Sequence, residues 1–196
     1  METKNIMIVG VGGQGTLLAS KLLGRLLLTK GFDVKVSEVH GMSQRGGDVQ
    51  SNLRLSSTPI ASDLIPQGGA DLIVSLEPME ALRYLPWLSE TGWVIANTVP
   101  LVNIPDYPDA ASLRREFDRL PHTVTLDAEA IARDSASPRA ANIVLLGAAA
   151  PLLGLPAERL EEGIRAIFGR KGEAVVEANL AAFRAGCAHA RKTILP

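Results

Sequence analysis

The sequence predicts a three-layer α/β domain of the Rossmann-like class, with a mixed, mostly parallel sheet and a helical carboxy-terminal part. Three observations support this class. Strand and helix signals alternate through the first half of the chain, a glycine-rich turn follows the first strand, and no strand signal remains after Asp127. The 196 residues suffice for one large domain, and no linker or repeat divides them. We therefore expect a single domain over 1–196, with the sheet region at 1–127 and the helical part at 128–196.

The strand signals are short apolar or alternating runs, at 4–9, 33–39, 48–55, 72–76, 93–97 and 123–126. The run 72–76 is continuously apolar, which is typical of a buried parallel strand. The run 48–55 alternates, with Val49, Ser51, Leu53 and Leu55 on one face and polar residues on the other. This period of two predicts an antiparallel or edge strand there.

The helix signals cover 14–30, 78–88, 128–132, 138–153, 156–168 and 173–192. Gly31 is expected to cap the first helix, and Pro78 suits the first turn of the second. Glu77 and Glu80, together with Arg83, fit either surface pairing at i, i+3 or a role in chemistry.

Composition excludes several classes of partner and site. The formal net charge of −1 gives no case for nucleic acid or an anionic membrane. The longest apolar run, 143–155, is too short to span a bilayer, and the amino-terminal residues lack a signal-peptide pattern, so we expect a cytoplasmic protein. A single cysteine, Cys187, cannot by itself ligate an iron–sulfur cluster, and it is expected to be packed rather than reactive.

The mean hydropathy of +0.16 leaves two interpretations open. Either a partner covers apolar surface, or the core is rich in alanine and leucine.

The first glycine segment predicts an anion site. Gly10, Gly12 and Gly15 satisfy the G-x-G-x-x-G spacing between an apolar strand and a helix. Glycine at these places allows a tight turn and a close approach of the backbone to a ligand. The free N–H groups of the helix's first turn would then point at a bound group, most naturally a phosphate.

A second glycine-rich segment, 38–48, is expected at the same carboxyl edge of the sheet. Arg45 can clamp a phosphate or carboxylate, and Ser43 and Gln44 can donate hydrogen bonds. The competing interpretation is a self-satisfied turn with Arg45 on the surface. His40 could move protons, but a role as a cap of the strand end is the preferred interpretation.

Glu38 stands where a dinucleotide-binding fold often holds a ribose hydroxyl. A stand-alone protein that binds NAD, NADP or FAD is therefore an alternative. Against it, the glycine-rich loop directly after Glu38, and the polar-faced strand that follows, depart from a simple βαβ unit.

Three segments carry a resemblance to a known family. They are Gly10-Val-Gly-Gly-Gln-Gly15, Glu38-Val-His-Gly-Met-Ser-Gln-Arg-Gly-Gly47, and the run from Ala70 to Arg83, with weaker support from Asn142-Ile-Val-Leu-Leu-Gly147 and from 177–183. Together they resemble the gamma domain of the 2-oxoacid:ferredoxin oxidoreductases, and within that family the small subunits of the indolepyruvate branch. The resemblance covers nearly the whole chain.

The resemblance implies an accessory subunit that is not active alone. In such enzymes an aryl 2-oxoacid, coenzyme A and oxidised ferredoxin give an arylacetyl-coenzyme A, carbon dioxide and reduced ferredoxin. Thiamine diphosphate and the iron–sulfur clusters would belong to a larger partner subunit, with ferredoxin as an indirect partner. This chain would cover the active site and share a coenzyme A site with that subunit, and it would supply neither catalytic residues nor a metal site.

By analogy, the residues expected to bind coenzyme A are those of the two glycine segments. They are Gly10, Gly12, Gly13, Gln14, Gly15, Ser43, Gln44, Arg45 and Gly46. A further alternative is a purely structural subunit whose glycine loops make only protein contacts.

Overall fold

The computed structural model describes residues 3–28, 32–41, 46–135 and 139–194. Its strands form a six-stranded sheet in the order β2-β3-β1-β4-β5-β6. In chain order they are β1 (Lys4–Val11), β2 (Asp33–His40), β3 (Asp48–Ser56), β4 (Ala70–Ser75), β5 (Leu88–Asn97) and β6 (Thr123–Leu126).

The sheet is mixed, and five of its strands share one direction. β1 pairs in parallel with β4, β4 with β5, and β5 with β6. β3 runs antiparallel to both β1 and β2, so that Val49 pairs with Gly10 on one side and with His40 on the other. The predicted mixed, mostly parallel sheet is confirmed. The alternating run forms the antiparallel strand, while the edge position belongs to β2.

The helices are α1 (Thr16–Leu28), α2 (Pro78–Arg83), α3 (Ala110–Asp118), α4 (Ala128–Asp134), α5 (Ala141–Ala149), α6 (Ala157–Phe168) and α7 (Glu173–Ile194). Short 3₁₀ turns follow at Leu85–Trp87, Ala150–Leu152 and Gly169–Lys171. The helices form two layers, one on each face of the sheet. Successive residues of a strand face opposite sides, so each strand contributes side chains to both layers. Ile6 and Ile8 face a core built with α1 and α4 to α7, whereas Met7 and Val9 face a smaller core with α2 and α3.

The helical part packs through a close crossing of α5 and α7. A Cβ atom at Gly147 would lie 2.0 Å from the carbonyl oxygen of Phe183, and one at Gly186 would lie 2.0 Å from that of Val144. Only glycine lets these two backbones approach so closely. Cys187 is buried in the same core, as expected.

Several predicted boundaries are wrong, each for a local reason. The helix predicted from position 14 begins at Thr16, because Gly15 has φ +89° and cannot be part of it. The helix predicted over 78–88 ends at Arg83, and Leu88 already begins β5, five residues before the predicted start. The helix predicted from 138 begins at Ala141 and gives way to a 3₁₀ turn after Ala149.

Helix α3 was not predicted. Its amino end is capped by Asp109, whose carboxylate accepts a hydrogen bond from the Ser112 N–H at 2.7 Å. The expected cap Gly31 and the residues at 29–30 and 136–138 lie outside the described part of the chain. Among the described residues, no helix is long and apolar enough to cross a membrane.

Candidate functional site

The two glycine-rich segments meet at the carboxyl edge of the sheet. The Gly12 N–H donates to the carbonyl oxygen of Gly47 at 2.8 Å, and the Gly46 N–H donates back to that of Gly12 at 3.4 Å. This contact follows from the sheet order, because β3 starts beside the end of β1 and the 41–47 loop joins β2 to β3. The first glycine turn and Gly46 therefore form one surface.

Strands β1 and β4 lie side by side, but their following helices cover opposite faces of the sheet. α1 packs in the larger core and α2 in the smaller one. Such a reversal opens a crevice at the carboxyl ends of the strands, where open α/β sheets bind ligands. The first glycine turn lies at this crevice.

The first glycine turn presents backbone donors. Gly13 and Gly15 have φ of +107° and +89°, a backbone conformation that residues with a Cβ atom rarely adopt. Within the described residues, the N–H groups of Gly15, Thr16 and Leu17 have no hydrogen-bond acceptor. These groups lie at the amino end of α1, where the helix dipole favours negative charge. The turn is therefore suited to an anionic group.

A cavity of about 430 Å³ adjoins these donors. It is lined by Val11, Gly12, Gly13, Gly15, Thr16, Leu17, His40 and Val49. Cavities of this size hold small ligands or part of a larger one. His40 lies at its wall, with Nδ1 3.2 Å from the carbonyl oxygen of Gly41. The cavity thus brings the end of β2 to the first glycine turn.

Sequence reasoning did not select Thr16, Leu17 or His40. The position of Thr16 and Leu17 in the first helical turn was a usable signal, since that turn carries the free donors. His40 was considered as a group that could move protons and, by preference, as a strand cap, but not as part of a ligand site. Its place at the cavity depends on the packing of β2 beside β3.

Gln14 holds the first glycine turn together. Its Oε1 accepts from the Val11 N–H at 2.8 Å, and its Nε2 donates to the carbonyl oxygen of Leu76 at 3.2 Å. The amide thus joins the carboxyl ends of β1 and β4. This use of both ends of the side chain indicates a positioning role for Gln14.

Asn97 continues this connection towards α4. Its Nδ2 donates to the Leu76 carbonyl oxygen and to Glu129 Oε1, each at 3.2 Å, and its Oδ1 accepts from the Ala128 N–H at 3.1 Å. The residue is 1% exposed. Two amide side chains therefore tie together the ends of three parallel strands and the start of a helix.

A group of buried and half-buried acids and tyrosines lies near the start of β3. The Tyr84 hydroxyl donates to Asp48 Oδ2 at 2.6 Å, and the Tyr107 hydroxyl donates to Glu77 Oε1. Burial, together with these hydrogen bonds to carboxylates, raises the pKa of Tyr84 and of Tyr107 above the usual tyrosine range. Burial likewise raises the pKa of Glu80 to about 7, with Arg83 opposing the rise and Asp48 and Glu77 adding to it.

Of the two interpretations of Glu77 and Glu80, pairing on an exposed helix surface does not fit the structure, because both side chains are buried. Glu77 is fully buried and caps α2, accepting from the Glu80 N–H at 2.9 Å. Glu80 is 3% exposed and pairs with Arg83 at 3.4 Å, so only the i, i+3 contact itself is as expected.

Gly46 has a second contact besides the one with Gly12. The Nδ2 of Asn103 donates to the Gly46 carbonyl oxygen at 2.8 Å.

The dinucleotide alternative does not fit the sheet order. Glu38 is exposed on the edge strand β2, and the antiparallel β3 separates β2 from β1. Adjacent strands lie about 4.8 Å apart, and β2 is two strands away from β1. Glu38 is therefore displaced by about 10 Å from β1, the strand that leads into the first glycine turn. A dinucleotide-binding unit places its acid on the strand adjacent to the first one.

A second cavity, of about 420 Å³, lies between α2, α3 and the ends of β5 and β6. Pro78, Pro100, Leu113 and Phe117 contribute much of its wall. None of the described residues of the two glycine segments lines it. We therefore take the cavity at the first glycine turn as the candidate site.

Residues 5–189 match the family described as pyruvate ferredoxin/flavodoxin oxidoreductase. The chain belongs to this family. It is 36% identical over 191 residues to the indolepyruvate oxidoreductase subunit IorB of Archaeoglobus fulgidus, covering 93% of this chain and 92% of that subunit. It is 37% identical to the subunit of the same name from Pyrococcus horikoshii, covering 99% of each.

A solved oxidoreductase contains a domain of this fold. The 2-oxoglutarate:ferredoxin oxidoreductase of Magnetococcus marinus superposes with a TM-score of 0.77 at 21% identity, covering 98% of this chain. This family member spans about a third of that longer chain, since the match covers 32% of it. That structure contains 2-oxoglutarate, coenzyme A and succinyl-coenzyme A. At this identity the likeness supports the fold alone.

The structure of this chain brings together six of the predicted site residues: Gly10, Gly12, Gly13, Gln14, Gly15 and Gly46. Ser43, Gln44 and Arg45 lie outside the described residues. Their part in the site stays a prediction.

Proposed function

We propose that this chain is the accessory subunit of a thiamine diphosphate-dependent, ferredoxin-linked oxidoreductase that acts on an aryl 2-oxoacid, with indolepyruvate as the expected substrate type. The observation that carries the proposal is the identity of 36–37% to indolepyruvate oxidoreductase subunits over nearly the full length of both proteins. The assembled enzyme would convert the 2-oxoacid and coenzyme A to an acyl thioester and carbon dioxide, and pass two electrons to ferredoxin.

The redox chemistry is assigned to a larger partner subunit. An iron–sulfur cluster needs several thiolate ligands, and this chain has one cysteine, which is buried. The partner would hold the clusters and thiamine diphosphate and would pass electrons to ferredoxin, in a cytoplasmic complex. This chain, as a single gamma-type domain over 1–196, would cover the partner's active site.

Coenzyme A is the ligand we assign to the cavity at the first glycine turn. Its phosphate groups suit the free N–H groups of Gly15, Thr16 and Leu17. Gly12 and Gly13 allow the close approach, Gly10 leaves room for the Gln14 amide, and Gln14 fixes the turn. Ser43, Gln44, Arg45 and Gly46 of the second loop would contact the same ligand or the partner subunit.

The test places a negative charge at this cavity. Leu17 is 37% exposed and lines the cavity, whereas Leu18 is 39% exposed and does not line it. Leu17→Glu adds a carboxylate within several ångströms of the bound phosphates, and repulsion of about 1 kcal/mol corresponds to a rise in the KM for coenzyme A of about fivefold. Leu18→Glu is the matched control, with the same change of charge on the same helix.

Both variants are assayed in the complex with the catalytic partner, following reduction of ferredoxin with indolepyruvate. We expect Leu17→Glu to raise the KM for coenzyme A without raising that for the 2-oxoacid, and Leu18→Glu to leave both unchanged. Size-exclusion chromatography checks that each complex assembles. Equal KM values for coenzyme A in the two variants would remove the proposed site.

A further inference from the structure

The amino end of α5 lies beside the first turn of α1. Asn142 is the second residue of α5, and its Nδ2 lies 2.9 Å from the position that a Cβ atom would take at Gly15. Gly15 is therefore required both for its φ of +89° and for the space that it leaves to this amide. The Asn142 amide thus lies against the turn whose following N–H groups, at Thr16 and Leu17, have no acceptor in the described part of the chain.

Asn142 is a buried polar residue without a hydrogen-bond partner. It is 7% exposed, and among the described residues nothing accepts from or donates to its side chain. Asn179 is equally buried, but its Nδ2 donates to the carbonyl oxygen of Val175 at 2.7 Å. Neither polar atom of the Asn142 side chain is among the fully buried, unpaired atoms of the described residues, so the amide keeps contact with solvent. It is therefore a donor that a ligand can reach.

The surroundings of Asn142 favour a negatively charged ligand. The N-cap residue of α5, Ala140, supplies no side-chain cap, so the first N–H groups of α5 add to those of α1. Arg139 is exposed directly before the helix, and no ion pair joins it to any described acid. A cation at the amino end of a helix is unfavourable unless an anion lies nearby. Two helix amino ends therefore lie close together at the first glycine turn, through the contact of Asn142 with Gly15.

We propose that Asn142 is a ligand-binding residue, whose Nδ2 donates to a phosphate oxygen held by the first turn of α1. The inference rests on the proposed function, because the phosphate is assigned to coenzyme A at the first turn of α1. Asn142 does not line the cavity itself, but it lies directly beside Gly15, which does. It adds the amino end of α5 to a site for which the sequence suggests only the two glycine segments.

The experiment replaces the amide in the assembled complex. Asn142→Leu keeps a similar shape and removes the donor. Asn142→Asp keeps the shape, places a negative charge where the α5 dipole favours it, and repels the phosphate. Asn179→Leu is the matched control, because it removes a buried amide that is already paired. The measurements are the KM for coenzyme A, the KM for the 2-oxoacid, and the Tm of each complex without coenzyme A.

We expect Asn142→Leu to raise the KM for coenzyme A about tenfold, as for a lost hydrogen bond to a charged group, and Asn142→Asp to raise it further. The Tm of both variants should not fall, because the unliganded protein loses no hydrogen bond. Asn179→Leu should instead lower the Tm and leave both KM values unchanged.

Three results would overturn the inference. If Leu17→Glu raises the KM for coenzyme A but neither Asn142 variant does, Asn142 does not bind and the proposed function stands. If neither Leu17→Glu nor the Asn142 variants raise it, the proposed site fails as well. If Asn142→Leu lowers the Tm as Asn179→Leu does and changes the KM of both substrates, the role of Asn142 is structural.

Discussion

Replacing Glu80 by glutamine should make the chain more stable above neutral pH. Burial raises the pKa of Glu80 from 4.5 to about 7 in the folded protein, with Arg83 opposing the rise and Asp48 and Glu77 adding to it. Between these values the folded protein binds more protons than the unfolded chain, so stability falls as the pH rises. The difference corresponds to a loss of about 3 kcal/mol of unfolding free energy, complete above pH 7.

Glu80→Gln removes this dependence on pH, because the amide is neutral at every pH. Relative to the wild type, we expect a gain of about 1–3 kcal/mol at pH 8 and a difference below about 1 kcal/mol at pH 5. Arg83 is 53% exposed along its side chain, so the loss of its 3.4 Å partner costs little.

The assay is urea unfolding of the purified chain at half-unit steps from pH 5 to pH 8. Glu116→Gln is the control, because Glu116 makes an exposed i, i+3 pair with Arg119 and its replacement gives the same change of charge. The control should change stability by less than about 0.5 kcal/mol at every pH. A wild-type curve without a downward slope, or a Glu80→Gln variant less stable than the wild type at pH 8, would refute the reasoning.

Two further predictions concern packing and the carboxyl edge of the sheet. Gly147→Ala should lower the free energy of unfolding by about 2–3 kcal/mol or prevent folding, because its Cβ would lie 2.0 Å from the Phe183 carbonyl oxygen. Gly169→Ala is the control and should be neutral or slightly stabilising, because Gly169 has φ −53° and open space around it. Equal unfolding midpoints for the two variants would contradict the close helix crossing. Asn97→Ala should lower the free energy of unfolding by about 2–4 kcal/mol, because it leaves the Ala128 N–H and other buried groups unpaired. A change below about 0.5 kcal/mol on urea unfolding would show that water replaces the amide.

The elements that the sequence predicted well are those with a strong local pattern. β6 has the predicted bounds, α6 begins one residue late, and α7 extends two residues beyond its predicted end. The first residues of β5 were missed because Ser89 and Glu90 break the apolar run, and they join the sheet through pairing of Leu88 with Ala70. α3 was missed because its pattern reduces to two apolar residues, Leu113 and Phe117, among polar ones.

The candidate site was predictable only in part. The spacing of Gly10, Gly12 and Gly15 predicted a turn at the start of a helix, and the structure has this turn. The burial of Glu77 and Glu80 could not be predicted, because the i, i+3 spacing is the same for exposed and buried pairs. The covering of Glu77 comes from the 98–109 segment, whose Leu101 N–H and Tyr107 hydroxyl donate to the Glu77 carboxylate only in the folded chain.

The sequence by itself determined the α/β class, the first glycine turn and the family, because each depends on local spacing or on residues in order. The tertiary structure decided which residues share the site. The reversed strand β3 joins the two glycine segments and separates Glu38 from β1, and the packing of α5 beside α1 brings Asn142 to Gly15. These contacts join residues far apart in the chain, so they depend on how strands pair and helices pack.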